Sequence, residues 1–178
     1  MDLMHVDIFM AETFLGAALT AVLQGTADLH QALDTLPVPI YMTNAGGMII
    51  YYNWACVGFA GRTPRVGQDS WCVSWKLYTE AGQLLAHDQC PMAVAIRERQ
   101  AVRGVRAIAE RPDGTCVSFL PYPTPLLDED GDVVGAINMF IDVTECEPAP
   151  PAHKQAVGRR LRSDLGPISE GDFGLGGC

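Results

Sequence analysis

Apolar residues change their spacing twice along this chain. From Ile8 to Leu23 they run almost unbroken, and a helix is expected over residues 9–24, ending at Gly25. Phe9, Met10, Phe14, Leu15, Leu19, Val22 and Leu23 leave that helix apolar nearly all round, so it needs cover on most sides. Thr26 then suits the cap of a second short helix carrying Leu29, Leu33 and Leu36 at i, i+4, i+7. Pro37 and Pro39 force an extended chain beyond it.

Short β-prone runs follow. Ile40–Thr43 and Met48–Tyr52 flank Asn44-Ala45-Gly46-Gly47, a hairpin with glycine where positive φ is needed. Asn53 is placed to N-cap a helix over Trp54–Ala60, stopped by Gly61. Residues 61–89 show no long periodicity and are expected to form short helices and loops. Pro91 suits the first position of a further helix carrying Met92, Ala95 and Ile96, with Arg97 and Arg99 near its C-terminus. Strands are expected over Val102–Ala109 and Thr115–Leu120, joined at Arg111-Pro112-Asp113-Gly114, with Pro121, Pro123 and Pro125 ending the second. After the turn at Asp128-Glu129-Asp130-Gly131-Asp132, the run Val133–Val143 is nearly all apolar, so both faces of that strand should be buried. The pattern is α+β: a five-stranded antiparallel sheet with short helices on one face and the N-terminal helix on the other.

Composition narrows the function classes. The chain has 178 residues, 48% hydrophobic and 19% charged, which suits one domain with extensions rather than a disordered segment. A net charge of -9 repels nucleic-acid phosphates, so no nucleic-acid partner is expected. The apolar N-terminal run contains Glu12 and falls short of the roughly 20 residues a membrane span needs. Its flank, Met1–Asp7, has two acids and no Lys or Arg, unlike a secretory leader. The six cysteines are scattered with no Cys-x-x-Cys pair, as in a cytoplasmic protein with reduced thiols. From Cys146 onward a Pro-rich stretch, a basic cluster (Lys154, Arg159, Arg160, Arg162) and a Gly-rich end read as a flexible tail. The expected divisions are 1–31, 32–145 and 146–178.

Several landmarks occur in a telling order: Leu33-Asp34-Thr35-Leu36-Pro37-Val38-Pro39-Ile40, Tyr52-Asn53, Gly61-Arg62, Asp113-Gly114, Asp130–Gly135 and Asp142-Val143-Thr144. Together they resemble the PAS domain family, most of all the PAS modules of bacterial sensor histidine kinases and related cytosolic regulators. The resemblance covers residues 32–145. It implies a PAS fold and a non-catalytic module of signal transduction that binds a small-molecule ligand or a protein partner, such as a sensor kinase or regulator. It also implies a homodimer formed through the N-terminal helix, a monomer with that helix packed on its own sheet being the alternative. Pro148, Pro150 and Pro151 interrupt the helical linker that usually follows the closing triplet, which moves the expected output to the N-terminal helix.

The light-sensing branch of the family resembles Gly-Arg-Asn-Cys-Arg-Phe-Leu-Gln, with the cysteine forming the flavin adduct. Here Pro64 stands at that position in Gly61-Arg62-Thr63-Pro64-Arg65-Val66, which excludes adduct chemistry. A haem needs an axial ligand, and of His5, His30, His87 and His153 only His87 falls in the core segment, in a loop. His87 and Cys90 supply two metal ligands where zinc needs three or four, so no metal site is expected. Cys90 at a helix N-cap has a dipole beside it that lowers a thiol pKa, a redox candidate set against a plain small loop residue. Cys56 and Cys116 are expected in the core. No Gly-x-Ser-x-Gly, phosphate-binding loop or His-Glu-x-x-His occurs, so no enzyme is expected.

Alternation along the last strand points Asn138 and Phe140 inward, to a ligand pocket, and Ile137, Met139 and Ile141 outward, to the N-terminal helix and a dimer interface with Phe9, Phe14, Leu15, Leu19 and Val22. Asn138 either orients a ligand or bonds another core group. Met42, Ile50, Tyr52, Val57, Met92, Ile96 and Phe119 complete the expected lining, each also explicable as plain core. A ligand-free dimerisation or adaptor domain with a filled core is the competing function, and a haem-binding sensor a third.

Overall fold

A computed structural model describes residues 13, 15, 16, 18 and 29–144, all within one compact unit, residues 1–148. The expected tail over 146–178 lies outside the described residues, as do Phe9, Phe14, Leu19 and Val22. Thr13, Leu15, Gly16 and Ala18 are helical, as the apolar run predicts.

Chain order is then α1 (Leu29–Asp34), β1 (Ile40–Asn44), β2 (Ile49–Tyr52), α2 (Trp54–Ala60), β3 (Lys76–Thr79), β4 (Leu84–Leu85), a 3-10 turn (His87–Gln89), α3 (Pro91–Glu98), β5 (Ala107–Glu110), β6 (Cys116–Pro121), β7 (Thr124–Leu127) and β8 (Val133–Asp142). The sheet is antiparallel, in the order β2-β1-β8-β6-β5-β3-β4, with β7 also paired to β8. It has eight strands, not the expected five. The hairpin β3–β4 lies inside the stretch expected to hold only helices and loops. Its strands are four and two residues long, too short for alternation to register. Thr79 and Gln83 close that hairpin, with Gly82 at φ 76 in its turn. Strand β7 contains Pro125, tolerable because β7 pairs with β8 alone among the named strands. Strand β5 begins at Ala107 rather than Val102, after Gly104 at φ 70.

Local signals explain most of the rest. Asn44 Oδ1 accepts the Met48 N–H at 2.9 Å, and Gly47 at φ 80 donates to the Asn44 carbonyl, so the first hairpin closes on its own side chain. Gly61 ends α2 in the left-handed conformation, donating to the Val57 carbonyl. Strands β1 and β2 slip by one residue between Met42 and Thr43, so Met42 faces Tyr51, Thr43 faces Ile49, and Ile50 is a bulge.

Two cores result, one on each face of the sheet. Tyr41, Ile49, Cys56, Phe59, Cys72, Leu77, Met92, Phe119 and Phe140 form the core under α2 and α3. Leu15, Ala18, Leu33, Ile40, Met42, Tyr51, Ile137 and Met139 form the other. Strand β8 supplies both, and Gly135 to Phe140 is buried throughout. Leu15 is 2% exposed and Ala18 1%, so the N-terminal helix covers the outer face of its own sheet. Ile137 and Met139 are fully covered and Ile141 partly so, in a single chain. For Leu15, Ile137 and Met139 this is the intramolecular alternative to a chain–chain contact.

Asn53 occupies the N-cap of α2 as expected, but its side chain makes no cap bond. It turns the other way. Its Oδ1 accepts the Ile40 N–H at 2.9 Å, and its Nδ2 donates to the carbonyls of Val38 at 2.9 Å and Leu33 at 3.2 Å. A fully buried asparagine thus pins the segment after α1 to the start of the sheet.

Candidate functional site

Alternation on β1 and β8 brings Tyr41 and Asn138 together as Cα partners beneath α2 and α3. The Tyr41 hydroxyl donates to the Trp71 carbonyl at 2.8 Å, and Asn138 Nδ2 donates back to the Tyr41 oxygen at 3.2 Å. Asn138 Oδ1 accepts the Tyr122 N–H at 3.0 Å. Asn138 thus bonds other core groups, one of its two anticipated roles. Burial pushes the Tyr41 phenol far above its ordinary pKa, with the neighbouring thiols adding to the rise, so it stays neutral.

Trp71 closes one side of this centre. Its backbone is left-handed at φ 68, uncommon for a bulky residue. Its N–H donates to the Gly47 carbonyl at 2.7 Å. Its indole lies so close over Gly47 that an added Cβ there would fall 2.3 Å from the ring. The strained backbone aims the Trp71 carbonyl inward, where it accepts from Tyr41 and, at 3.7 Å, from the Cys90 thiol.

Three thiols surround the same phenol. Cys56 donates to the Ile40 carbonyl at 3.2 Å, and Cys72 contacts Ser74 Oγ at 3.2 Å. Cys90 is the N-cap of α3, as expected, but the expected lowering of its pKa is reversed. Burial pushes it up to about 12, and the backbone N–H groups of Ala93 and Met92 offset only part of that. The helix terminus does act on the sulfur; desolvation outweighs it. Burial likewise raises Cys56 and Cys72. Cys116, expected in the core, is exposed: it opens β6 on the face opposite its buried neighbour Val117.

The centre is aromatic and closely filled. The rings of Phe59, Phe119 and Phe140 stand 4.6–5.1 Å apart, and Tyr41 lies 5.5 Å from Phe140. Of the expected lining residues, Met92, Phe119 and Phe140 belong to this core, Tyr52 and Ile96 pack against it, and Asn138 reaches it through Tyr41. Three do not join it. Met42 lies on the outer face, because β1 presents Tyr41 inward. Ile50 is the bulge residue, 47% exposed. Val57 sits on the flank of α2, whose buried face is Cys56, Phe59 and Ala60. The residues missed, Tyr41, Phe59 and Trp71, were visible only as aromatics in short runs. Tyr41 is the chain neighbour of the expected Met42 and takes the opposite face of β1.

At the rim, Asp69 holds Arg62 at 2.6 Å and Arg65 at 3.1 Å. Burial acts to raise the Asp69 pKa, but the Arg65 N–H and the Arg62 guanidinium outweigh it and hold the carboxyl below its ordinary value. His87 is half-buried nearby, and burial, with the Arg62 charge, lowers its pKa. Among the described residues no group of three or more His, Cys, Asp or Glu is placed to hold a metal ion, and no helix is long and apolar enough to cross a membrane.

A family model described as PAS fold matches residues 33–147. No curated protein matches the chain in sequence. Among solved structures, the chain is similar to an RNA-binding light-oxygen-voltage receptor, at 22% identity and TM-score 0.49, over 71% of this chain and 35% of that one. The chain thus spans about a third of that receptor's length. It is similar to the LOV domain of a blue-light-activated histidine kinase from Erythrobacter litoralis EL346, at 22% identity and TM-score 0.45, over 61% of this chain and 98% of that one. It is also similar to the PAS domain of the fruit-fly ELK potassium channel, at 20% identity and TM-score 0.49, over 64% and 93%.

Proposed function

Because the chain belongs to the PAS fold family, matched over residues 33–147, we propose that this sensory signalling domain works in the cytoplasm as a homodimer whose N-terminal helix carries the output. The input is a small ligand, or a partner such as a sensor kinase or regulator, acting on the core under α2 and α3. One observation supports the route of output. Strand β8 turns Asn138 and Phe140 toward the core under α2 and α3, and Ile137 and Met139 toward the core that holds Leu15 and Ala18 of the N-terminal helix. A shift of β8 on one side must be felt on the other, since close-packed cores do not absorb displacement.

The reading is tested on the full chain by sedimentation and amide exchange. A dimer is expected, and Asn138→Leu should raise exchange over residues 9–24 more than over β3 and β4. A monomer at every concentration overturns the homodimer; exchange that changes only beneath α2 and α3 overturns the proposed route of output.

A ligand-free dimerisation or adaptor domain is the second reading. The contact among Phe59, Phe119 and Phe140 at the centre favours it. Native mass spectra and absorption of the purified protein separate the two: a bound mass or chromophore supports the ligand reading, and its absence together with no probe binding supports the adaptor.

A further inference from the structure

Thr43 is fully buried, and its hydroxyl has no partner. Among the described residues only one other buried side-chain atom shares that state, Arg62 Nε, whose guanidinium is anchored elsewhere by Asp69 and the Ser74 carbonyl. Thr43 has no second polar atom to anchor it. A buried hydroxyl left unpaired is a standing cost, and valine would remove it at nearly the same volume.

Its position is informative. Thr43 lies two residues from Tyr41 on β1, hence on the same face. Its Cα partners Ile49 and Ala136 both belong to the core under α2 and α3. Its strand runs straight into the hairpin whose Gly47 carries the Trp71 indole. The buried polar groups of that core are Tyr41, Ser74, Asn138 and the thiols of Cys56, Cys72 and Cys90. None carries a charge, since burial keeps the phenol and the thiols protonated. At the rim the Arg62 charge is met by Asp69, and the second cation there, Arg65, is turned mostly to solvent. An ionic ligand would lose its hydration and meet no counter-charge inside. Because the rings of Phe59, Phe119 and Phe140 already touch one another, a guest enters only by parting packed side chains, which restricts it to a small one.

We infer that the ligand of this core is a small neutral molecule with an apolar body and one hydrogen-bonding group, and that Thr43 Oγ1 is the group that holds it. This rests on the ligand reading above. Benzyl alcohol, benzoate and benzylammonium share a ring and differ in charge, and serve as probes with the full chain. Binding is read from the NMR signals of the Met92 and Ile96 methyls, and stability from thermal unfolding. Benzyl alcohol should shift those signals saturably and the two ions should not. Thr43→Val should raise the unfolding midpoint of the probe-free protein while weakening benzyl alcohol by roughly five- to tenfold, the worth of one hydrogen bond. Benzoate or benzylammonium binding as tightly as the alcohol overturns the inference. So does undiminished binding to Thr43→Val, or a lower probe-free midpoint for that variant, which would mean the hydroxyl is satisfied within the protein. If no probe binds the parent chain, the ligand reading itself fails, and this inference with it.

Discussion

Asn53→Ala is expected to be among the most damaging single substitutions in the sheet. It removes the acceptor of the Ile40 N–H, at 2.9 Å, and the donor to the Val38 carbonyl, also at 2.9 Å. The longer contacts to the Leu33 and Leu36 carbonyls, at 3.2 and 3.4 Å, go with them. Each buried group left unpaired costs about 1–3 kcal/mol. Counting the two short bonds fully and the longer ones lightly gives about 3–5 kcal/mol. Against a typical domain stability of about 5–15 kcal/mol, that takes a large share. The thermal midpoint should fall by roughly 6–20 °C at this chain length.

Urea unfolding followed by circular dichroism measures the loss directly, and Asn53→Asp isolates its cause. Aspartate keeps the acceptor for Ile40 but turns a carboxylate oxygen toward the carbonyls of Val38 and Leu33. At neutral pH it should be no more stable than Asn53→Ala, and it should recover as the pH falls and the carboxyl regains a proton to donate. A loss under about 1 kcal/mol for Asn53→Ala would refute the reasoning. So would an aspartate variant as stable as the parent at neutral pH, because Nδ2 would then contribute nothing. Proton exchange at the Ile40 amide should rise in Asn53→Ala more than at β5 amides, locating the damage where the bond was lost.

Three further outcomes are expected. Gly135→Ala sets a Cβ 2.4 Å from the Thr43 carbonyl oxygen, so β1 and β8 must part; urea unfolding should show about 2–4 kcal/mol lost, and a loss within about 0.5 kcal/mol would show that the strands separate freely. Alkylation of the folded protein at pH 8, mapped by mass spectrometry, should label Cys116 and spare Cys56, Cys72 and Cys90 until the chain unfolds; rapid labelling of Cys90 would contradict a thiol pushed up to about 12. Asp69 is held below its ordinary pKa, so its contribution to stability is complete above the ordinary carboxylate value and is lost as the pH falls through the lower folded value. Asn at position 69 should therefore destabilise the protein at pH 7, with the gap to the parent closing in strong acid; a gap that stays constant with pH would remove the ion pairs as its source.

Much of the frame was legible because each signal was local. Asn44 and Gly47 close their hairpin within four residues, Gly61 stops α2 by its own backbone, and the apolar run into β8 needs no partner to declare that both faces are covered. Asn53 shows the limit of such signals. It stands at the N-cap, where asparagine is favoured, yet its side chain serves Ile40 and Val38, which only the folded sheet brings near. The hairpin β3–β4 and strand β7 were illegible for another reason. They are two to four residues long, and their pairing with β5 and β8 is what makes them strands.

The site was legible strand by strand and failed where the register between strands decided the outcome. On β8, parity alone separates Asn138 and Phe140 from Ile137 and Met139, and the two cores divide those residues in that way. On β1 the expected residue was Met42, whereas the strand turns Tyr41 to that core and Met42 to the other face. On β2 the bulge at Ile50 changes parity within the strand, so Ile49 and Tyr51 fall on opposite faces although they are two residues apart. No pattern in the strand itself announces that slip; it follows from how β2 must bend to follow β1. The chemistry of Cys90 turned on the same kind of non-local fact. Its place before Pro91 lowers a thiol pKa, whereas its burial beside Cys72 and the Trp71 carbonyl raises it, and the second outweighs the first. The resulting core is uncharged and aromatic, with one hydroxyl lacking a partner, and that hydroxyl is the feature a ligand of the stated chemistry would satisfy.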